Sequence, residues 1–539
     1  MIKLVEIFLE VYMMAKDFKQ TMDKNKELQQ YLFIRAFMLS DRDDFDLNSF
    51  PFYGNWKKEK LNDHYFGYVH NKLNMSYISK NGKTFFLFGH AYNPFTMEID
   101  EAVILERIAD SYGNENYLDM IDEITGVFVM GVIDGKKVEF LVDPSGMQSA
   151  CYSYIDNHFY ISSHPQLIGD LCNLKMSEIA KELTAYKWYY RVMGPYMPAD
   201  ITAFDEVKRI VPSIMFTFNN GKINHKRFYP LKDLSECKNE EEYNQVIAQS
   251  ADILKRNMEL VAKKWNKPYI SLTGGIDSNT TFAAANGNYD KFKAFSYVSA
   301  EKETIDADAA KVIADRFNVE RILYNIPQTT DGLKNYNEIV QIIDHNNGYV
   351  SRGVEHEYRK RVYLMEHLDC DIEVKSWVSE TIRCYWYKHY GRKSMPKLSP
   401  KLYRNLYKIF ITNRSLAHKV DKLFAKYLDE FEYYSIPAQY PPADIHFNEV
   451  TWGSWGGTNI SEMKIYTDMT FIYNNRRFLD LLFKVPMQKR IDDQHHLDMK
   501  KILNKELYDM NIRVVNMKET STRAFLLNVL FTINSFLPF

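Results

Sequence analysis

Residues 267–285 read KPYISLTGGIDSNTTFAAA: a short β-branched and aromatic run, then two glycines, an acid and a serine, then an alanine-rich segment. YISL has the length and composition of a buried parallel strand, and SNTTFAAA opens a helix. Gly274 and Gly275 remove side chains where the backbone turns sharply between them. Backbone amides at such a helix start form an anion site. Asp277 repels a bare phosphate but suits one that arrives with Mg²⁺. No lysine follows the glycines as in a Walker A loop, and no third glycine completes a dinucleotide fingerprint. Taken alone, the string also fits an ordinary strand–turn–helix junction with a serine cap.

Outward from this junction the chain has two textures. From about Tyr31 to Pro230 short alternating runs recur, such as KTFFLFGHAY, GVFVMGVID and HFYISS, separated by Gly, Asn and Asp turns, so this part is expected to be mostly antiparallel sheet. LKDLSECKNEEEYNQ then opens a long helical pattern. After it YISL, KAFSYV and RILYNI alternate with helical stretches including DADAAKVIADRF, and a helix-rich remainder follows. Alternation of this kind implies a parallel sheet with helices on both faces.

Composition narrows the functional classes. The 539 residues exceed one ordinary domain, and a hydrophobic content of 46% fills more than one core. With 68 basic against 70 acidic residues, no overall field recruits nucleic acid or an anionic membrane. The five cysteines show neither zinc-type spacing nor a dense disulfide pattern, which fits a reducing cytoplasm. MIKLVEIFLEVYMMAKDF reads as an amphipathic helix, and FLLNVLFTINSFLPF, interrupted by Asn528 and Asn534, as a helix docked on the protein's own core. No transmembrane segment is expected.

SLTGGIDS resembles the pyrophosphate loop of the ATP-pyrophosphatase superfamily, and the order of segments around it is similar to the asparagine synthetase family. TGVFVMGVID, FLVDPSGMQSACYSY and FYISSHPQLI resemble that family's N-terminal glutaminase-like domain, YRVMGPYMPADITAFDEVKRIVPSIMFTF its bridging segment, and YNNRRFLDLLFKVPMQKRIDD its C-terminal helices. The resemblance covers about residues 80–520. It implies an α/β protein: an Ntn-hydrolase-like antiparallel sandwich over 1–235 with an extra N-terminal helix, and a doubly wound ATP-pyrophosphatase domain over 236–539. It also implies that Leu272, Thr273, Gly274, Gly275, Asp277, Ser278, Ser296 and Tyr297 bind ATP and its pyrophosphate.

The departures matter as much. The family's glutaminase uses a processed N-terminal cysteine, where this chain has Met1 and Ile2, and an Asn-Gly-Glu run, where this chain has Phe88, Gly89 and His90. Glutaminase activity is therefore expected to be absent. Asp100 matches a family acid that grips the glutamine amine, and equally fits a turn cap. The family's second signature, G-E-G-x-D-E, aligns with SWVSETIRCYW: Trp377 replaces the central glutamate, while Glu380 stands in place of the aspartate and is expected to hold Mg²⁺ opposite Asp277. In β-lactam-forming relatives a tyrosine at the Trp377 position helps activate an amine; an indole does no acid–base work. By its position Lys518 resembles a late lysine of the family that reaches the phosphates, and equally fits an exposed surface lysine.

These parts imply ATP-dependent adenylation of a small-molecule, peptide or sugar carboxylate, with release of AMP and pyrophosphate and amide formation by an amine or by ammonia from elsewhere. A separate ammonia-supplying partner and a homodimer are both compatible with the sequence. The alternatives are a decayed ATP-binding scaffold and a peptide or lactam cyclase of the same family.

Overall fold

The computed structural model describes residues 18–512, Val514 and 521–536; Met1, Ile2 and Lys518 lie outside the described residues. The N-terminal half pairs two six-stranded antiparallel sheets. One runs Lys208–Arg209, Cys151–Ile155, His158–Ser162, Phe37–Ser40, Phe66–His70, Trp56–Lys60; the other runs Lys222–Arg227, Ile214–Asn219, Lys137–Val142, Thr125–Asp134, Lys83–Tyr92, Met75–Lys80. The sheets meet through aromatic side chains, with Phe159 stacked on Phe218 at 4.0 Å and Phe37 on Phe88 at 4.6 Å. On KTFFLFGHAY, Phe86 and Phe88 point into the sandwich, while Phe85 and Leu87 point to the helices Glu101–Ser111 and Tyr117–Asp122 on the other face. Both faces are covered, so the central strand is nearly all apolar.

The helix Glu240–Lys264 opens the second half. Asn239 caps it by accepting from the Glu242 amide at 2.9 Å, and Glu240, Glu241 and Glu242 sit at the positive end of its dipole. A five-stranded parallel sheet follows, ordered Arg321–Asn325, Lys293–Val298, Pro268–Ser271, Ile372–Val374, Met469–Thr470. In chain order this is 3-2-1-4-5, so the direction of winding reverses between Pro268–Ser271 and Ile372–Val374. Such a switch point opens a crevice at the carboxyl ends of the strands, where α/β sheets bind ligands. The expected α/β architecture, an antiparallel sandwich followed by a parallel sheet and a helical C-terminus, is what the chain adopts.

The halves are joined by buried polar contacts. Arg227 donates to both carboxylate oxygens of Glu449 at 2.9 and 3.0 Å, Asn474 donates to Asp143 at 2.8 Å, and Tyr92 meets Thr470 at 3.0 Å. The C-terminal helix Ser521–Phe536 docks through Phe531 and Asn534, whose amide donates to Asn405 at 2.6 Å, while Asn528 accepts from Arg392 at 2.7 Å. The two asparagines that interrupt the apolar tail are thus its anchors. Phe525, Leu526 and Phe536 face solvent, so only one side of this helix meets the expectation of docking. No helix among the described residues is long and apolar enough to cross a membrane.

Candidate functional site

The turn after Pro268–Ser271 is held by Ser278, which accepts from the Thr273 amide at 3.1 Å and donates to the Thr273 carbonyl at 3.0 Å. The serine thus closes the loop. Gly274 is required for a reason the sequence did not show. Its φ is not left-handed; instead a Cβ there would fall 2.1 Å from Val514 and 2.9 Å from Ala309. The amides of Gly274 and Gly275 are also engaged, donating to Asp306 Oδ1 and Thr273 Oγ1, each at 3.1 Å. The donors left for an anion are therefore the first-turn amides of the helix Ile276–Ala284: those of Ile276, Asp277 and Ser278 meet no acceptor among the described residues.

A cavity of about 290 Å³ opens beside this loop, at the switch point of the sheet. Leu272, Thr273, Gly275, Asp277, Ser278, Ser296, Tyr297 and Glu380 all line it. Gly274 lies behind it, and Lys518 is outside the described residues. Val514 donates its amide to the Gly274 carbonyl at 3.0 Å, which returns the chain to the loop four positions before Lys518.

Asp277 and Glu380 come from opposite sides of the switch and meet at one hydroxyl. Ser379 Oγ lies 2.6 Å from Asp277 Oδ1 and 3.5 Å from Glu380 Oε2. Burial, and then the Asp277 charge, push the Glu380 carboxyl well above the usual carboxylate range; Arg383 opposes this. Arg383 makes an ion pair with Asp277 Oδ2 and holds Asp493 through two bonds of 2.7 and 2.9 Å. Although burial disfavours its charge, Asp493 is held below its ordinary pKa by Arg383 and Lys388. His496, driven strongly toward its neutral form by burial, places Nε2 3.4 Å from Asp277 Oδ1.

Four residues around the cavity escaped sequence reasoning. Glu303 and Asp306 add two acids to the lining; Glu303 accepts from the Ser299 and Ala300 amides at 2.7 and 3.2 Å, and Asp306 from Gly274. Lys375 adds a buried cation, paired with Glu373 at 2.7 Å. Arg383 stands three residues after Glu380, a spacing that signals nothing without the turn Ser379–Thr381 that swings it back onto Asp277. Val378 just before this turn has φ +79, a rare conformation for a β-branched residue.

Trp377 reaches the cavity as one corner of an aromatic cluster. Its ring lies 5.5 Å from Trp452 and 5.4 Å from Trp455, with Lys375 Nζ 5.3 Å from its centroid. Trp452 and Trp455 belong to a ten-residue π-helical stretch, Phe447–Gly456, a rare geometry often found at functional sites.

The sandwich is built differently at the positions singled out there. Phe88 is fully buried against Phe37, and His90 is buried with Nδ1 3.7 Å from Asp468. Asp100 caps the helix Glu101–Ser111, accepting from the Ala102 amide at 2.8 Å; the capping role is the one its geometry supports.

A parallel sheet with a glycine loop and two carboxylates at its switch point defines the class: an α/β domain with a polar crevice at the carboxyl ends of its strands. Residues 267–354 match the family model for asparagine synthase, a stretch that runs from the loop strand through the third strand and its following helix. No curated protein sequence matches the chain significantly. Among solved structures, the allosteric regulatory enzyme of purine biosynthesis aligns over 63% of this chain and 90% of its own, at 9% identity and a TM-score of 0.24. Glutamine phosphoribosylpyrophosphate amidotransferase from B. subtilis aligns over 66% and 72%, at 9% identity and 0.22. Glutamine-dependent NAD⁺ synthetase from Acinetobacter baumannii aligns over 32% of each chain, at 14% identity and 0.16.

Proposed function

We propose that this protein is an ATP-dependent carbon–nitrogen ligase that adenylates a carboxylate at the switch-point cavity. The observation that carries the reading is the meeting of Asp277 and Glu380 at Ser379, beside a helix start with open amides. A substrate carboxylate oxygen attacks the α-phosphorus of ATP, the bond to the β-phosphate breaks, and pyrophosphate leaves toward the amides of 276–278. A nitrogen nucleophile then attacks the acyl carbon, AMP departs, and an amide results. The Ser278-braced loop orients the phosphates.

The acids suit Mg²⁺ in one way only. Among the described residues no three His, Cys, Asp or Glu side chains form a metal cage, whereas two facing carboxylates match an ion whose other ligands are phosphate oxygens. Asp277 and Glu380 would hold it, and it supplies charge neutralisation of the departing pyrophosphate. Lys518 would add a compact charge to the same oxygens; the return of the chain at Val514 supports this. Trp377 offers no acid–base group, so either the acceptor differs from that of asparagine-forming relatives or another group serves in its place.

In this reading residues 1–235 form a degenerate glutaminase-like domain without activity, 236–539 form the adenylating domain, and the nitrogen comes from ammonia, a separate partner or the substrate itself. A peptide or lactam cyclase belongs to the same chemistry. The location is cytoplasmic. A second reading, a nucleotide-binding scaffold, is favoured by the Arg383–Asp277 pair, which occupies a carboxylate oxygen the metal needs.

The test is AMP and pyrophosphate release from ATP with panels of peptide, sugar and amino-acid carboxylates. Adenylation that disappears in Asp277→Asn and Glu380→Gln is the expected outcome. ATP binding without AMP from any acid overturns it in favour of the scaffold.

A further inference from the structure

The helix Ser521–Phe536 is anchored along one side and bare along the other. Phe536 at 79% and Phe525 at 65% are the most exposed large apolar side chains among the described residues, and Leu526, Val529 and Ile533 are exposed with them. At about 100° per residue the five fall within a sector of about 100°. Phe531 and Asn534, which anchor the helix, lie on the opposite side. A contiguous apolar stripe of this kind marks an interaction surface.

The border of the stripe is basic. GRKSMPKLSPK, residues 391–401, holds Arg392, Lys393, Lys397 and Lys401 and no acid, and the helix itself carries Arg523 and no acid. Over the whole chain 68 basic residues meet 70 acidic ones, so the excess here is local. The fold lays this segment along the helix. At one end a Cβ on Gly391 would lie 3.2 Å from that of Ala524, and Arg392 donates to Asn528 at 2.7 Å with its guanidinium 5.0 Å from the Phe531 ring centre. Beyond the other end, Arg404 donates to the Asn534 carbonyl at 2.9 Å. Asn528 falls about 60° outside one edge of the stripe and Arg523 about 60° outside the other. Lys393, Lys397 and Arg523 are exposed. Cations therefore flank the apolar sector on both sides.

We propose that this face seats the protein on an anionic lipid bilayer. The helix lies in the plane of the membrane surface, its apolar stripe among the upper acyl chains and the flanking lysines and arginines on lipid phosphates. Buried apolar area and charge then contribute together. A second copy of this chain suits the face less, because pairing two such surfaces sets one basic border against another with no acid from either segment between them. With its other side docked on the protein, the helix gives peripheral attachment and no span. This attachment is independent of the adenylation chemistry proposed above.

The experiment is co-sedimentation of the full-length protein with vesicles of phosphatidylcholine, alone or mixed with phosphatidylglycerol. Binding to the anionic vesicles should exceed binding to the neutral ones by about tenfold or more, and should fall as salt is raised. Phe525→Ser combined with Phe536→Ser should weaken it by about tenfold or more, and Lys393→Gln combined with Lys397→Gln by about twentyfold. All four side chains are exposed, so circular dichroism should be unchanged. Equal binding to both kinds of vesicle overturns the proposal, as does binding that survives the paired phenylalanine substitution. Should that pair not fold, the lysine pair decides: undiminished binding overturns the lipid seat. Absence of binding to either vesicle also overturns it, and a dimer in sedimentation velocity that the phenylalanine pair dissolves would then assign the face to a second copy.

Discussion

The strand Lys83–Tyr92 in the sandwich and the strand Pro268–Ser271 in the parallel sheet make opposite use of their surroundings. Along the first, the backbone is paired on both sides and both faces are covered, so an apolar residue at Phe88 gains burial and leaves no polar group unmet. At the end of the second, a loop and a helix start present backbone amides that require polar company. There the structure gathers four acids, Asp277, Glu303, Asp306 and Glu380, with Lys375 and Arg383 among them. The contrast teaches that a paired strand covered on both faces favours apolar side chains, whereas backbone donors at a switch point keep their surroundings polar.

The largest expected effect tests the sandwich side. Phe88→Ala should cost about 3–5 kcal/mol of unfolding free energy by denaturant titration, as for a fully packed core phenylalanine. Neither the wild type nor Phe88→Asn should release glutamate from glutamine above a heat-killed control. Release by either would break the contrast, since it would reveal a working site inside the core.

Next come the charged groups of the cavity. If adenylation is found, Asp277→Asn and Glu380→Gln should each lower its kcat/KM by about a hundredfold or more while the fold is retained by circular dichroism. Lys518→Ala should lower kcat and kcat/KM together by a similar factor with little change in ATP affinity, and Glu519→Ala should be nearly silent. Turnover near the wild-type rate in any of the first three removes that residue from the mechanism.

A smaller effect reads the electrostatics directly. The Glu380 carboxyl titrates higher in the folded chain than its ordinary value of 4.5. The folded state thus binds more protons at this group than the unfolded state, and the stability it contributes is present below that value and lost as pH rises through the raised one. Glu380→Gln abolishes this loss, so its melting temperature should climb relative to wild type between about pH 5 and neutrality, by ~2 °C in a chain of this size. A difference independent of pH would mean that burial and the Asp277 charge do not raise this carboxyl in the folded chain. The smallest change is at Asp100: Asp100→Ala should cost about 1 kcal/mol as a lost helix cap and leave adenylation untouched. Loss of adenylation there would tie the sandwich to the reaction after all.

Much of this was legible in one sequence because the relevant signals are local. Period-two runs bounded by turn residues announced the antiparallel strands, alternation of strands with helices announced the parallel sheet, and GGIDS announced a strand–loop–helix with a carboxylate on the first turn. Eight of the nine loop-side and cross-site residues named from sequence, Gly274 excepted, line a single cavity. What sequence could not supply are relations between distant segments. The close approach of Val514 explains Gly274, the turn Ser379–Thr381 sets Arg383 against Asp277, and the π-helical stretch fits Gly453 to Arg209. Each depends on where the folded chain returns after tens or hundreds of residues, and side-chain charge and backbone propensity, which act over a few residues, carry no record of that return.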